Sequence, residues 1–161
     1  MIKPIKLWPD PILLEPTINW EIGKSQFNLD EIEKDLIDTL TYTRAYGLAA
    51  NQIGYKLRVM AIDTQDDGQI RIMYNPVILS TSSDKQDTDE GCLSFPKVRL
   101  KITRSTSVEV QWKDKLNYTH SRTFKDMDAR CILHEIDHLD GKVFKDYVSN
   151  LKFNYAQKIA K

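Results

Sequence analysis

The sequence has little of what would direct a chain to a membrane, to a nucleic acid or into an oxidising compartment. Only two cysteines are present, Cys92 and Cys131. That is too few for a disulfide framework, and a reducing compartment is expected. No apolar run approaches the roughly 20 residues of a membrane span. The N-terminus lacks the charged-then-apolar order of a signal peptide, so a cytoplasmic location is expected. Lysine plus arginine equals aspartate plus glutamate at 23 each, which leaves no global field for nucleic acid or an anionic membrane. Internal repeats, low-complexity tracts and linkers are also missing. What remains is an ordinary globular composition, 41% hydrophobic and 29% charged over 161 residues. One monomeric domain spanning 1–161 is the expectation.

Histidine is scarce too, with three in the chain, yet two of them fall in His134-Glu135-Ile136-Asp137-His138. Read as a helix, two histidines four apart stack on one face, where both imidazoles reach one metal ion. The adjacent Glu135 can then act on a metal-bound water. Met127 and Cys131 share the histidine face, Ile132, Ile136 and Leu139 supply apolar neighbours, and Gly141 fits a C-terminal cap. Asp126 or Asp128 is the expected N-terminal cap. A pair of satisfied core histidines is the plain alternative.

The proline-punctuated opening from Lys3 to Leu13 is expected to run extended over the surface. A first helix is expected from about Asn28 to Arg44, with Leu29, Ile32, Leu36 and Leu40 at helical spacing. Around Gly47 to Gln52, small residues suggest a turn where backbones approach closely. Leu57 to Ile62 and Ile70 to Tyr74 read as strands joined at Asp67-Gly68. Asn75-Pro76 should break the second. The acid-rich stretch from Ser82 to Asp89 reads as a solvated loop. Strands follow at Val98 to Thr103, Ser105 to Trp112 and Tyr118 to Phe124. After the histidine helix come a short strand near Val143-Phe144 and a last helix from about Asn150 to Ala160. The class is α+β, with mostly antiparallel sheets around a central metal-binding helix.

Two histidines want a third protein ligand, with one position open for chemistry. Cys131 lies on the same face but about 10 Å of helical rise from His138. Cys92 can approach from another element and is the preferred third ligand, leaving Cys131 as a buried apolar thiol. His120 reads as a half-exposed strand residue.

Three segments now stand in order: Gly47-Leu48-Ala49-Ala50-Asn51-Gln52, Glu90-Gly91-Cys92-Leu93-Ser94 and His134-Glu135-Ile136-Asp137-His138-Leu139. Together they resemble the three motifs of the peptide deformylases, and the likeness runs from Trp8 to the end of the chain. The resemblance implies a hydrolase that removes the formyl group from the N-terminal formylmethionine of nascent chains. It implies that Cys92, His134 and His138 bind one divalent metal, Fe(II) natively and Zn or Ni in preparations. Glu135 would be the general base, with the Gln52 amide and the Leu93 backbone N–H as oxyanion donors. Substrate would lie as an added strand on backbone at Tyr46, Gly47 and Gly91. The methionine pocket would be lined by Tyr46, Met127, Arg130, Cys131 and His134. Arg99 and Arg104 are expected to pair with Glu90 or Asp137 and brace the site.

Ala45, Tyr46 and Leu133 depart from the family pattern, but none of them is a ligand, the base or an oxyanion donor. Lys152, Lys158 and Lys161 in the short C-terminal segment suggest a transient ribosome contact. A zinc endopeptidase also uses His-Glu-x-x-His, but the cysteine segment and the lack of a downstream third histidine speak against it. A non-catalytic metal-binding module is the other alternative.

Overall fold

The computed structural model describes residues 1–24 and 26–160. Helix α1 spans Leu29–Thr43. The Asn28 side chain accepts from the Glu31 N–H, and Asp30 and Glu31 complement the dipole of the first turn. The helix stops at Arg44, whose left-handed conformation (φ 54°) aims its N–H back at the Leu40 and Thr41 carbonyls.

Among the described residues seven strands follow: β1 Gly47–Ala49, β2 Val59–Asp63, β3 Ile70–Thr81, β4 Lys85–Cys92, β5 Phe95–Ser105, β6 Ser107–Lys113 and β7 Thr119–Lys125. Five form an antiparallel sheet in the order β1-β2-β3-β6-β7, and β4 and β5 make a separate two-stranded sheet. Helix α2 covers Asp126–Leu139 and helix α3 covers Asn150–Ile159. The architecture is α+β, as expected, with α2 packed among the strands.

Side-chain alternation places the helices. In β2 and β3, Val59, Ala61 and Tyr74 join Ile32, Leu36 and Leu40 of α1 in one core. Their neighbours Met60, Ile62 and Met73 join Ile132, Ile136 and Leu139 of α2 in another. Successive strand side chains point to opposite faces, so α1 and α2 cover opposite sides of the sheet. A third core gathers Leu13, Phe95, Leu100, Phe144 and Phe153 under α3. The opening segment is not extended to its end: Pro11–Leu13 form a 3-10 turn capped by Asp10, and Leu13 is fully buried. Ahead of that turn the segment ties the motif segments together through Lys6 N–H to the Gln52 carbonyl (2.7 Å) and Trp8 N–H to the Ser94 carbonyl (2.9 Å).

Several local expectations are corrected. The stretch from Ser82 to Asp89 is not a loop: residues from Lys85 onward form β4, in register with β5 from Lys85 opposite Ser105 to Gly91 opposite Arg99. Only Glu90 of this strand is buried, so it carries no hydrophobic alternation to read. Asn75-Pro76 bends β3 without ending it. Asn75 takes a positive φ of 49° at a register shift, and its amide grips the backbone of Trp20 on both sides. The segment Gly47–Ile53 is a short strand and a 3-10 turn rather than a simple turn. Val143 and Phe144 are not a strand. Phe144–Tyr147 is a 3-10 turn, with the Asp146 carboxylate accepting from the Val143 N–H at 3.0 Å. Neither Asp126 nor Asp128 caps α2. Lys125 occupies that position, while Asp128 accepts from the backbone of Gln65 (2.8 Å) and Asp66 (3.3 Å).

Candidate active site

Helix α2 carries His134, Glu135 and His138 inward, and all three are buried. The end of β4 brings Cys92 to them: its Sγ lies 3.2 Å from His138 Nε2. One ligand atom each from Cys92, His134 and His138 falls within 4.8 Å of the others. The donor set, one thiolate and two imidazoles, suits a borderline-soft divalent ion and leaves a fourth position open. His134 is pre-oriented for this. Its Nδ1 meets Glu90 Oε1 at 2.9 Å, which leaves Nε2 to face the cluster. Burial pushes the His138 pKa well down, toward the neutral form that ligates. The residues present therefore fit a resident metal.

Behind the cluster stands an ion-pair network. Glu90 accepts from Arg104 Nε (2.6 Å) and Nη2 (3.0 Å) and from Arg130 Nη1 (2.5 Å). Arg104 also donates to Asp137 at 2.9 Å, and Asp137 accepts from the Tyr147 hydroxyl at 2.8 Å. Burial alone would raise the Glu90 carboxyl, but hydrogen bonds from His134 and Arg104 hold it at about 2. Arg104 is the bracing residue the sequence suggested. Arg99 is not. It folds over Gly91 and donates to the Asp89 carbonyl at 3.3 Å.

A cavity of about 530 Å³ opens over the cluster. Its floor includes Cys92, His134 and Glu135, while His138 lies behind them. Burial raises the Glu135 carboxyl to about 7. Its Oε2 has no partner among the described residues, so a buried carboxylate oxygen is free for a proton-transfer task. Gln52 is fixed through its Oε1, which accepts from the Ala49 N–H at 2.9 Å. That turns its Nε2 toward Ser94 Oγ (3.2 Å) and Cys92 Sγ (3.7 Å). Leu93 sits in the tight turn between β4 and β5 and also lines the cavity.

Tyr46, Gly47 and Gly91 lie on the cavity walls, as do Met127, Arg130 and Cys131. The Tyr46 carbonyl already accepts from the Asp63 N–H (2.8 Å), which leaves its half-exposed side chain to meet a ligand. Arg130 is held by Glu90 and by the carbonyls of Ile102 (3.0 Å) and Gln86 (2.6 Å), so it is a fixed wall. Burial pushes the Cys131 thiol well up, in keeping with an apolar lining residue. His120 is half-exposed in β7, stacked on Trp112 and bonded to Asp114 at 2.8 Å. Sequence reasoning assigned no role to Asn51 or Ser94. Asn51 Nδ2 donates to the His138 carbonyl at 2.6 Å, joining the first motif to the end of α2. Both residues lay inside the quoted motifs, but a neutral polar side chain carries no spacing signal.

Residues 2–154 match the family model of the polypeptide deformylases. The chain belongs to this family. It is an enzyme of the deformylase kind, a hydrolase that acts on N-formyl groups in the N-terminal processing of nascent chains. It is 37% identical to the peptide deformylase of Pseudothermotoga lettingae over 99% of its own length and 91% of that protein's. The crystal structure of a peptide deformylase from Legionella pneumophila is similar at a TM-score of 0.90 and 33% identity, covering 99% of this chain and 94% of that one. A class I type b peptide deformylase from Acinetobacter baumannii, bound to Met-Ala-Ser, is similar at a TM-score of 0.84 and 25% identity, with 92% and 99% covered.

Proposed function

We propose that residues 1–161 act as one catalytic domain that hydrolyses the formyl–nitrogen bond of formylmethionyl peptides. In this reading Cys92, His134 and His138 hold the metal, Glu135 is the general base, and Gln52 and Leu93 are the oxyanion donors. The observation that carries it is the convergence of that ligand set with an unpartnered Glu135 oxygen and the oriented Gln52 amide at one cavity, whose floor holds Cys92, His134 and Glu135 with His138 behind them. Fe(II) is the proposed native ion, with Zn or Ni able to occupy the same donors. When bound, such an ion supplies Lewis acidity and a water acidic enough to attack near neutral pH.

The remaining work falls to the protein. Glu135 takes a proton from the attacking water at its carboxylate and returns it to the departing amine nitrogen, so that water, formyl group and amine balance as formate and a free N-terminus. Gln52 Nε2 and the Leu93 N–H donate to the oxygen that gains charge as the formyl carbon becomes tetrahedral. Strand β1 ends its sheet and β4 ends the other, and the cavity lies between these two edges. An extended peptide would fit there as an added strand along Gly47 and Gly91. Its methionine side chain would rest among Tyr46, Met127, Arg130, Cys131 and His134.

The same reading makes the enzyme a cytoplasmic monomer that meets nascent chains as they emerge. No helix among the described residues is long and apolar enough to cross a membrane. On α3, Leu151, Tyr155 and Ile159 form an exposed apolar stripe near Lys152 and Lys158, the proposed face for a transient ribosome contact. Lys161 lies outside the described residues. The test is formate release from formyl-Met-Ala-Ser by protein purified anaerobically and loaded with Fe(II) or Ni(II). Turnover supports the assignment, and metal-loaded protein that releases no formate overturns it.

A further inference from the structure

The charges around the mouth of the cavity do not cancel. Arg44, Lys97 and Arg99 line it and are exposed. Of the acids that line it, Glu90 is engaged by Arg104, Arg130 and His134, and Glu135 is buried on the floor. That leaves Asp89 against three cations, an excess of two positive charges in a chain whose formal net charge is zero. Arg44 and Lys97 make no ion pair among the described residues. Both take left-handed backbone conformations, φ 54° and 63°. The Arg44 N–H is tied to the end of α1, so its backbone is anchored while its side chain is free. Arg99 lies across Gly91, its Nη1 2.8 Å from where a Cβ would stand.

These cations occupy both banks of the cavity, Arg44 just before β1 and Lys97 and Arg99 on β5 beside β4. A peptide lying between the two strand edges would pass its second and third side chains between them. We infer that this chain favours formylmethionyl peptides whose second and third residues are acidic, and disfavours lysine there. The inference rests on the deformylase reading and adds its substrate class. Each exposed pairing is worth only a few-fold. Two carboxylates attracted, against two ammonium groups repelled, compound to about tenfold at low salt.

The experiment compares kcat/KM for formyl-Met-Glu-Glu, formyl-Met-Ala-Ser and formyl-Met-Lys-Lys at low and high salt. Equilibrium binding of the unformylated Met-Glu-Glu and Met-Lys-Lys products is measured beside it. The glutamate peptides should lead the lysine peptides by about tenfold at low salt, with the ratio shrinking as salt screens the mouth. The ratio should also collapse in the Arg44→Gln, Lys97→Gln double variant, where Arg99 is kept because it packs over Gly91. Equal or reversed preference in product binding overturns the inference, as does a preference that survives the double substitution. Failure to turn over any of the three formyl peptides strikes instead at the deformylase reading, and product binding still decides the charge preference.

Discussion

A methyl group on Gly47 would stand 2.7 Å from Glu135 Cγ, 2.8 Å from Glu135 Oε1 and 2.6 Å from Cys131 Sγ. Strand β1 therefore passes the proposed base with no room for any side chain, and the glycine is required by contact rather than by backbone angle. Gly47→Ala should displace the carboxylate while leaving the ligands in place. A misplacement of about 1 Å at a reacting group costs on the order of 100-fold. The expected result is a comparable fall in kcat with metal content retained. A variant with normal kcat would show that the Glu135 position is not set by this contact.

Metal binding and proton transfer should separate by mutation. Glu135→Gln keeps the shape of the buried side chain and removes its basicity, so metal content should persist while turnover falls by about 10²–10⁴-fold. His138→Ala removes a ligand and should lose both. Metal analysis alongside formate release reads the two effects, and equal metal loss in the two variants would refute the division of roles.

Glu90 holds His134, Arg104 and Arg130 at once. Glu90→Gln would leave two buried guanidinium groups without their shared counter-ion. Removing one member of a buried ion pair costs about 3–5 kcal/mol, and loss of a ligand's orienting partner weakens metal binding about 10–100-fold. Denaturant unfolding and a metal-competition titration should show both losses. Stability close to that of the parent chain would mean that water replaces the carboxylate.

The sequence made some of this legible and not the rest, for physical reasons. His134, Glu135 and His138 declare themselves by helical spacing, and Cys92 by the reach needed to close a metal site. Strand β2, apolar on both faces, is equally readable. Strand β4 is not, because Asp87 and Asp89 sit on a polar strand held by its ladder with β5 and by contacts such as Thr103 Oγ1 to Asp87 at 2.6 Å. Arg99 and Arg104 looked alike as basic residues after the second motif. Only tertiary packing separates the one that braces Glu90 from the one that reaches the cavity mouth.

Away from the site, Asp67 in the turn between β2 and β3 should govern part of the acid sensitivity. Its carboxylate accepts from Arg71 Nη1 (2.9 Å) and Nη2 (2.5 Å), from Thr64 Oγ1 (2.7 Å) and from Arg122 Nη1 on β7 (3.1 Å). The Arg71 hydrogen bonds, then that of Thr64, hold its pKa well below the ordinary carboxylate value. A depressed native pKa means that the unfolded chain binds the proton first. The stabilisation is therefore complete above the unfolded value of about 4 and is lost as pH falls toward the native one. Asp67→Asn should be less stable than the parent at pH 7, and the gap should narrow as pH drops below about 4. Thermal melts at pH 7, 4 and 3 in low salt would measure it, since these exposed charges are screened at high ionic strength. A gap that stays constant across that range would assign the loss to the turn's neutral hydrogen bonds rather than to the carboxylate's charge.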